Sequence, residues 1–355
     1  MLRQMAFNLQ SADTSILVAE PGYYISHNNI PIDGVDQLIV HYEKYKTLDG
    51  KNEKRVARVG DGSIVTRFDK TPYPRLPDDV VCPHFLELKW ATGCPYACAW
   101  CYLQGTYRFL DYKTKPHPKE FGRIEKHLLA LFEENGKSPP ELLNAGELSD
   151  SMITEHRQEP FTTFAMNLFG TQDKHKLLFV TKSPHIENLL KIPNADQAIV
   201  SFSINAEKVA ERWEKAPSIK ERIEAAGKLK DAGFEVRIRI DPMVPIESWN
   251  QEYSKLVDRI FGRFTPDRIT IGSLRGLQST INNARDRSWV EYLGEKSNWG
   301  KKIKTDLRKK MYSSLINHLR DEMDYHGSIA LCKETIRMWR ELAIDFKDIR
   351  CNCTL

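Results

Sequence analysis

The chain has 355 residues, of which 41% are hydrophobic and 28% charged, with a formal net charge of +4. This is a globular composition with ample length for a core, and no apolar run approaches the ~20 residues of a membrane span. The opening MLRQMAFNLQSADTS lacks the basic end and apolar stretch of a secretory signal, so no membrane association and a cytoplasmic location are expected.

Residues 1–82 are mixed in character, with strand-like pieces at Gln37–Tyr42 and Ser63–Arg67, and are expected to form an N-terminal extension packed on the remainder of the chain. From residue 83 short apolar runs alternate with helical patterns. Buried strands are expected at Phe85–Trp90, Glu141–Ala145, Lys176–Thr181, Ala198–Ile204, Glu235–Ile240 and Arg268–Ile271. In Lys119–Asn135, Phe121, Ile124, Leu128 and Leu131 recur at the spacing of one helix face. Glu221–Ala232 predicts another helix, with Gly233 as a left-handed cap. Such alternation predicts parallel βαβ units and an α/β fold, a partial (β/α)6 barrel over 83–310 with chemistry at the C-terminal ends of its strands. Residues 311–355 form a C-terminal extension, with a strand at Ile329–Lys333 and a helix from Glu334 to Leu342.

Seven cysteines in a chain without a signal point to metal or redox use rather than to a disulfide framework. Cys94, Cys98 and Cys101 follow the first barrel strand, and Gly93 and Pro95 oppose a helix there, so a loop wrapped around a ligand is expected. Three thiols within eight residues suit a cubane iron–sulfur cluster better than structural zinc, which takes four ligands, usually in two separated pairs. A small zinc site, or three unrelated cysteines, is the alternative. Three ligands for four irons leave one iron open to a substrate.

The C-x₃-C-x₂-C spacing after the first strand resembles the signature of the radical S-adenosylmethionine (SAM) superfamily. The resemblance implies that Cys94, Cys98 and Cys101 hold a [4Fe–4S] cluster, that SAM binds its open iron, and that one electron cleaves SAM to a 5′-deoxyadenosyl radical. Asn144-Ala145-Gly146-Glu147 resembles the superfamily's Gly-Gly-Glu segment, so Glu147 is implied to contact the SAM ammonium. A more specific resemblance is to the spore photoproduct lyase family. It rests on Ala91–Cys94 with Cys101–Gln104, on Phe179–Lys182 with His185 and Leu189-Leu190, and on Phe202–Asn205, with an echo in Trp299-Gly300-Lys301. It implies that Lys182 and Ser203 contact SAM, Lys182 through the methionine carboxylate, and that Tyr102 is one of the tyrosines beside the cluster. The family's hydrogen-donor cysteine follows the second strand, where this chain has Ala145–Asp150 and no cysteine, and Trp100 stands before Cys101. The departure points to a member with a different substrate or a different hydrogen donor.

Arg237 and Arg239 alternate on one strand that ends at Asp241, placing charge in the barrel. Arg239 or Asp241 is expected to orient SAM or substrate, with an internal ion pair as the structural alternative. Cys332, Cys351 and Cys353 are a candidate second site: an auxiliary iron–sulfur cluster, a thiol pair donating hydrogen or electrons, or buried apolar side chains. Cys82 is expected to be structural. Lys301–Lys310 carries six basic residues against one acid, a candidate contact for nucleic acid or a solvated helix face. The leading expectation is a lyase-like enzyme acting on a nucleobase or nucleic acid in DNA repair, fed by an electron donor such as flavodoxin or ferredoxin. A maturase acting on a protein or small molecule, or a non-catalytic cluster-binding module, are the alternatives.

Overall fold

The computed structural model describes residues 38–355 except 69–70, 111–114, 135–137 and 194. Most of the N-terminal segment, including Gln37 of the first expected strand, lies outside the described residues.

Ten strands form one sheet whose spatial order follows the chain. Strands β1 (Val40–Lys46), β2 (Asn52–Val59) and β3 (Val65–Phe68) run antiparallel to one another, and β3 pairs antiparallel with β4 (Phe85–Leu88). From there every pairing is parallel: β5 (Leu142–Asn144), β6 (Lys176–Thr181), β7 (Ala198–Ser203), β8 (Glu235–Met243), β9 (Arg268–Ser273) and β10 (Ser328–Leu331). The six expected barrel strands are all present. A seventh, β10, comes from the segment assigned to the C-terminal extension, so the parallel array runs past residue 310. The periodicity of a four-residue strand beyond a long helical stretch is too short to show that it pairs with β9. Val80–Val81, before β4, pairs antiparallel with Glu334–Thr335, after β10, and ties the two ends of the array together.

Parallel strands covered on both faces need continuous apolar runs, and β4 and β5 are buried at every position. Helices α1 (Phe121–Phe132), α2 (Phe161–Phe169), α3 (Glu207–Trp213), α4 (Ile219–Asp231), α5 (Trp249–Phe261) and α6 (Thr305–Asn317) lie in the crossovers, α3 and α4 both between β7 and β8. Strand β6 is joined to β7 through short 3-10 turns, and α7 (Ile336–Glu341) follows β10. Helix α4 starts at a capping box between Ser218 and Glu221. It ends as expected: Gly233 has φ +90° and the Phe234 amide returns to the Leu229 carbonyl at 3.1 Å. Trp90 is fully buried, stacks on Phe161 with ring centroids 3.9 Å apart, and donates its indole N–H to the Ala145 carbonyl at 2.9 Å. That bond links the end of the first barrel strand to the loop after the second.

The C-terminal residues are part of the core. Asn352 is completely buried; its amide donates to Ser201 Oγ (2.7 Å), its carbonyl oxygen accepts from Thr270 Oγ1 (2.8 Å), and its backbone N–H reaches the same hydroxyl (2.9 Å). Arg237, also completely buried, donates to the backbone carbonyls of Asn352 (3.0 Å) and Thr354, and Arg268 to that of Thr354 (3.0 Å). The tail from Cys351 thereby docks onto β7, β8 and β9. Replacing Asn352 by Ala strands the hydroxyls of Ser201 and Thr270, and we expect a loss of about 2–4 kcal/mol, read as a lower urea midpoint at unchanged slope.

The basic run 301–310 is not one solvated face. Lys302 is 1% exposed and pairs with Glu334 at 3.3 Å, and buried Arg308 binds the same carboxylate. Only part of the run, Lys304, Lys309 and Lys310, is exposed. The spacing of charges cannot distinguish the two kinds, because the carboxylate that captures Lys302 and Arg308 lies some thirty residues on in sequence. Burial alone would raise the Glu334 carboxyl, but Lys302 and Arg308 outweigh it and hold it at about 2. A depressed carboxyl stabilises the fold above its unfolded value near 4.5, and that stability disappears as pH falls from there towards 2. We expect Glu334→Gln to abolish about 3 kcal/mol of this acid-sensitive stability, measured as unfolding free energy against pH.

Candidate active site

The three motif cysteines lie in the loop between a short strand, Ala91–Thr92, and a helical turn, Leu103–Thr106. The loop is held from several sides. Ser149 Oγ donates to the Gly93 carbonyl (2.6 Å), the Ala99 amide to the Trp213 carbonyl (2.9 Å), and the Lys215 amide to the Tyr96 carbonyl (2.9 Å). The Gln104 side chain donates to the carbonyls of both Cys98 and Ala99 at 2.8 Å. Ala97, between the first two cysteines, has φ +44°, a conformation that an L-residue holds only when its surroundings fix it. All three thiols are free.

Burial, then each other's proximity and that of nearby carboxylates, pushes all three thiols up to about 12; Asp150 and Cys101 act on Cys94, Cys94 on Cys98, and Cys98 on Cys101. Lys182 opposes this at Cys98 and Cys101. Three neighbouring thiols that repel each other as anions suit a shared cationic centre. Among the described residues no three Cys, His, Asp or Glu side chains converge on a single metal ion. A cubane cluster does not ask for that, because each thiolate binds its own iron. The chemistry of the donor set therefore fits a [4Fe–4S] group.

Glu147 follows β5. Its carboxylate accepts from Asn144 Nδ2 (3.0 Å) and lies 3.4 Å from the Tyr102 hydroxyl, which also reaches the Glu147 backbone carbonyl. Gly146 allows this turn: a Cβ there would stand 2.4 Å from Val180 Cβ. Tyr102 and Glu147, expected on the same site, are thus brought together. Lys182, at the end of β6, is held by a residue with no sequence motif of its own. Its ammonium pairs with Glu214 at 2.7 Å, and Arg222 takes the other carboxylate oxygen at 2.7 Å. Glu214 closes α3, and a lone acid at a helix end carries no signal until the chain folds. Ser203 stands opposite Arg239 in the β7–β8 register, and its carbonyl accepts from Arg222 at 3.1 Å. Asp241 is occupied by a bidentate pair with Arg275 (2.7 and 2.9 Å), the internal ion pair expected as its structural alternative. Arg239 instead reaches Cys353 Sγ at 3.1 Å, and its Nε is buried without a hydrogen-bond partner.

Of the candidate second site, Cys353 lies against Arg239 and Cys332 against Arg275 (3.4 Å). Cys82 is near both Cys353 and Lys333.

The family model for spore photoproduct lyase matches residues 36–271, two thirds of the chain. The chain belongs to the spore photoproduct lyase family. With that membership comes the radical SAM superfamily, whose type of partial barrel this is. Spore photoproduct lyase of Bacillus subtilis (strain 168) is 29% identical over 223 residues, and the match spans 62% of either chain. The enzyme of Geobacillus sp. (strain Y412MC61) is 27% identical over 173 residues, 48% of this chain and 49% of its own. The chain therefore spans about half to three fifths of the length of these relatives. Solved structures share the fold at lower identity. Spore photoproduct lyase complexed with dinucleoside spore photoproduct superposes with a TM-score of 0.59 at 19% identity, over 70% of this chain and 76% of its own. A double mutant of spore photoproduct lyase with bound AdoMet and dinucleoside spore photoproduct gives 0.58 at 19% identity over the same shares.

Burial works against the charge of Glu214, but Lys182 and Arg222 outweigh it and depress its carboxyl. Glu214→Gln leaves two cations facing a neutral amide in a buried site. We expect a destabilisation of about 3–5 kcal/mol, measured by denaturant unfolding.

Proposed function

We propose that this member of the spore photoproduct lyase family is a radical SAM enzyme acting on a nucleobase or nucleic acid. The observation that carries the reading is the convergence, at one end of a parallel barrel, of three free thiols, Cys98 buried and Cys94 and Cys101 half-buried, with Glu147, Tyr102 and Lys182. When bound, a [4Fe–4S] cluster on Cys94, Cys98 and Cys101 supplies the electron that cleaves SAM reductively. The chain's own residues then have separable tasks. Glu147, oriented by Asn144, presents a carboxylate to the SAM ammonium. Lys182, paired with Glu214 beside Cys98 and Cys101, presents a cation to the methionine carboxylate. Ser203 and Arg239, neighbours in the β7–β8 register, are assigned to SAM or substrate contact.

The relatives that match are named for spore photoproduct chemistry, and that supports a nucleic-acid substrate here. The lack of cysteine in Ala145–Asp150 supports a hydrogen donor other than theirs. Phosphate contact along residues 301–310 would fall to the exposed Lys304, Lys309 and Lys310. The electron is assigned to a small donor such as flavodoxin or ferredoxin. An auxiliary cluster on Cys332, Cys351 and Cys353 is not carried into this reading, because two of those thiols already face guanidinium groups. Among the described residues no helix is long and apolar enough to cross a membrane.

The test is anaerobic reconstitution with iron and sulfide, reduction with dithionite, and measurement of 5′-deoxyadenosine after addition of SAM. Formation is expected in the native chain and its loss in Cys98→Ala. Glu147→Gln should weaken SAM binding about ten- to a hundredfold, the loss of one charged hydrogen-bonding partner, with iron content unchanged. A reconstituted cluster that leaves SAM intact under several reductants overturns the enzymatic reading in favour of a binding module.

A further inference from the structure

The docked tail brings two thiols into the barrel that the proposed chemistry does not use. Residues Cys351–Thr354 form a turn closed by the Thr354 amide on the Cys351 carbonyl at 3.2 Å. A turn of this kind holds the Cα atoms of its first and third residues roughly 5–6 Å apart, inside the range that a disulfide spans. The two thiols lie close enough to influence each other's ionisation, so that the loss of a proton from one makes the other harder to ionise. Arg239 Nη2, 3.1 Å from Cys353 Sγ, supplies a countercharge for a thiolate at that sulfur. Cys353 also lines a cavity of about 470 Å³, together with Cys82, His84 and Tyr45, which gives a small thiol reagent room to approach.

We propose that Cys351 and Cys353 are a redox-active dithiol, cycling between two thiols and an intramolecular disulfide within the barrel. The oxidant is a small-molecule disulfide such as oxidised glutathione. The thiolate of the pair attacks one glutathione sulfur and expels a glutathione thiolate. The second cysteine, deprotonated, then attacks the protein-bound sulfur, closes the Cys351–Cys353 bond and expels the other glutathione thiolate. The two protons of the pair end on the two released glutathiones, and the two electrons lost by the protein are gained by the glutathione disulfide. Reduction by excess glutathione runs the same steps backwards. The docking bonds of Asn352, which lies between the two cysteines, hold the turn during the cycle. This inference does not rest on the radical SAM reading, and either can fail alone.

Trypsin cleaves after Arg350, releasing the pentapeptide Cys351–Leu355, which contains both thiols and no other cysteine. The full chain is equilibrated in glutathione buffers of graded ratio, quenched with acid, alkylated and mapped without reduction. The expected result is conversion of the doubly alkylated pentapeptide into an unalkylated form about two mass units lighter than the dithiol, reversibly and with one midpoint. Arg239→Gln removes the countercharge of the reduced form. It should move the equilibrium about tenfold towards the disulfide, about 30 mV, while Arg239→Lys stays near the native value. Both alkyl groups retained at the most oxidising ratio, with native circular dichroism, overturn the proposal. So does a cross-link of the pentapeptide to the peptides of Cys82 or Cys332. An unchanged midpoint in folded Arg239→Gln overturns the part given to Arg239.

Discussion

A guanidinium group inside a parallel barrel has to be paired, and strand β8 puts two of them there. Arg237 and Arg239 leave the strand on the same side, two residues apart, into an interior where an unpaired charge is strongly destabilising. One segment serves both. Glu235 supplies the countercharge of Arg237 from the same strand, backbone carbonyls of Asn352 and Thr354 accept its remaining hydrogen bonds, and the sulfur of Cys353 meets Arg239. The docking of the tail, the register of Asn352 on β7 and β9, and the placing of a thiol beneath Asn144 and Glu147 all follow from that requirement.

The catalytic end obeys the same rule. Lys182 and Arg222 are compatible with burial because one carboxylate, Glu214, serves both. Asp241 and Arg275 satisfy one another, and Glu334 gathers Lys302 and Arg308. Each of these clusters joins neighbouring elements of the barrel, so the charges fix strand ends relative to one another while apolar side chains fill the space between. The hydrophobic core sets how tightly the barrel packs; the ion pairs set which polar groups face the lumen and at what height.

Much of this can be read from the sequence. Six strands and their helices are visible because a buried parallel strand is an apolar run and a crossover helix repeats at 3.6 residues. The cysteine motif is visible because its ligand chemistry compresses three thiols into eight positions. What stays hidden shares one property, dependence on a distant partner. Glu214 signals nothing until Lys182 and Arg222 approach it, and β10, legible as a strand, shows its place in the sheet only once β9 lies beside it. Lys302 and Arg308 read as surface charges because Glu334 is far away in sequence. Strand β2, with its polar and charged side chains alternating against few apolar ones, has no periodicity strong enough to separate it from a loop.

The docked tail also bears on how the chain reaches this state. Arg237 meets Thr354 across 117 positions, Asn352 meets Ser201 across 151, and Asn144 lies beside Cys353 across 209. Contacts of such separation form late, since closing long loops costs entropy before the contact returns any stabilisation. During synthesis, β4 to β9 can pair as they emerge, and Arg237 has Glu235 on its own strand, yet the carbonyls that complete its hydrogen bonds and the sulfur beside Arg239 arrive only with residues 351–355. The growing chain passes through a stage in which an almost complete sheet still lacks the segment that packs against Arg237 and Arg239, a stage at which water, rather than protein, must occupy that part of the interior.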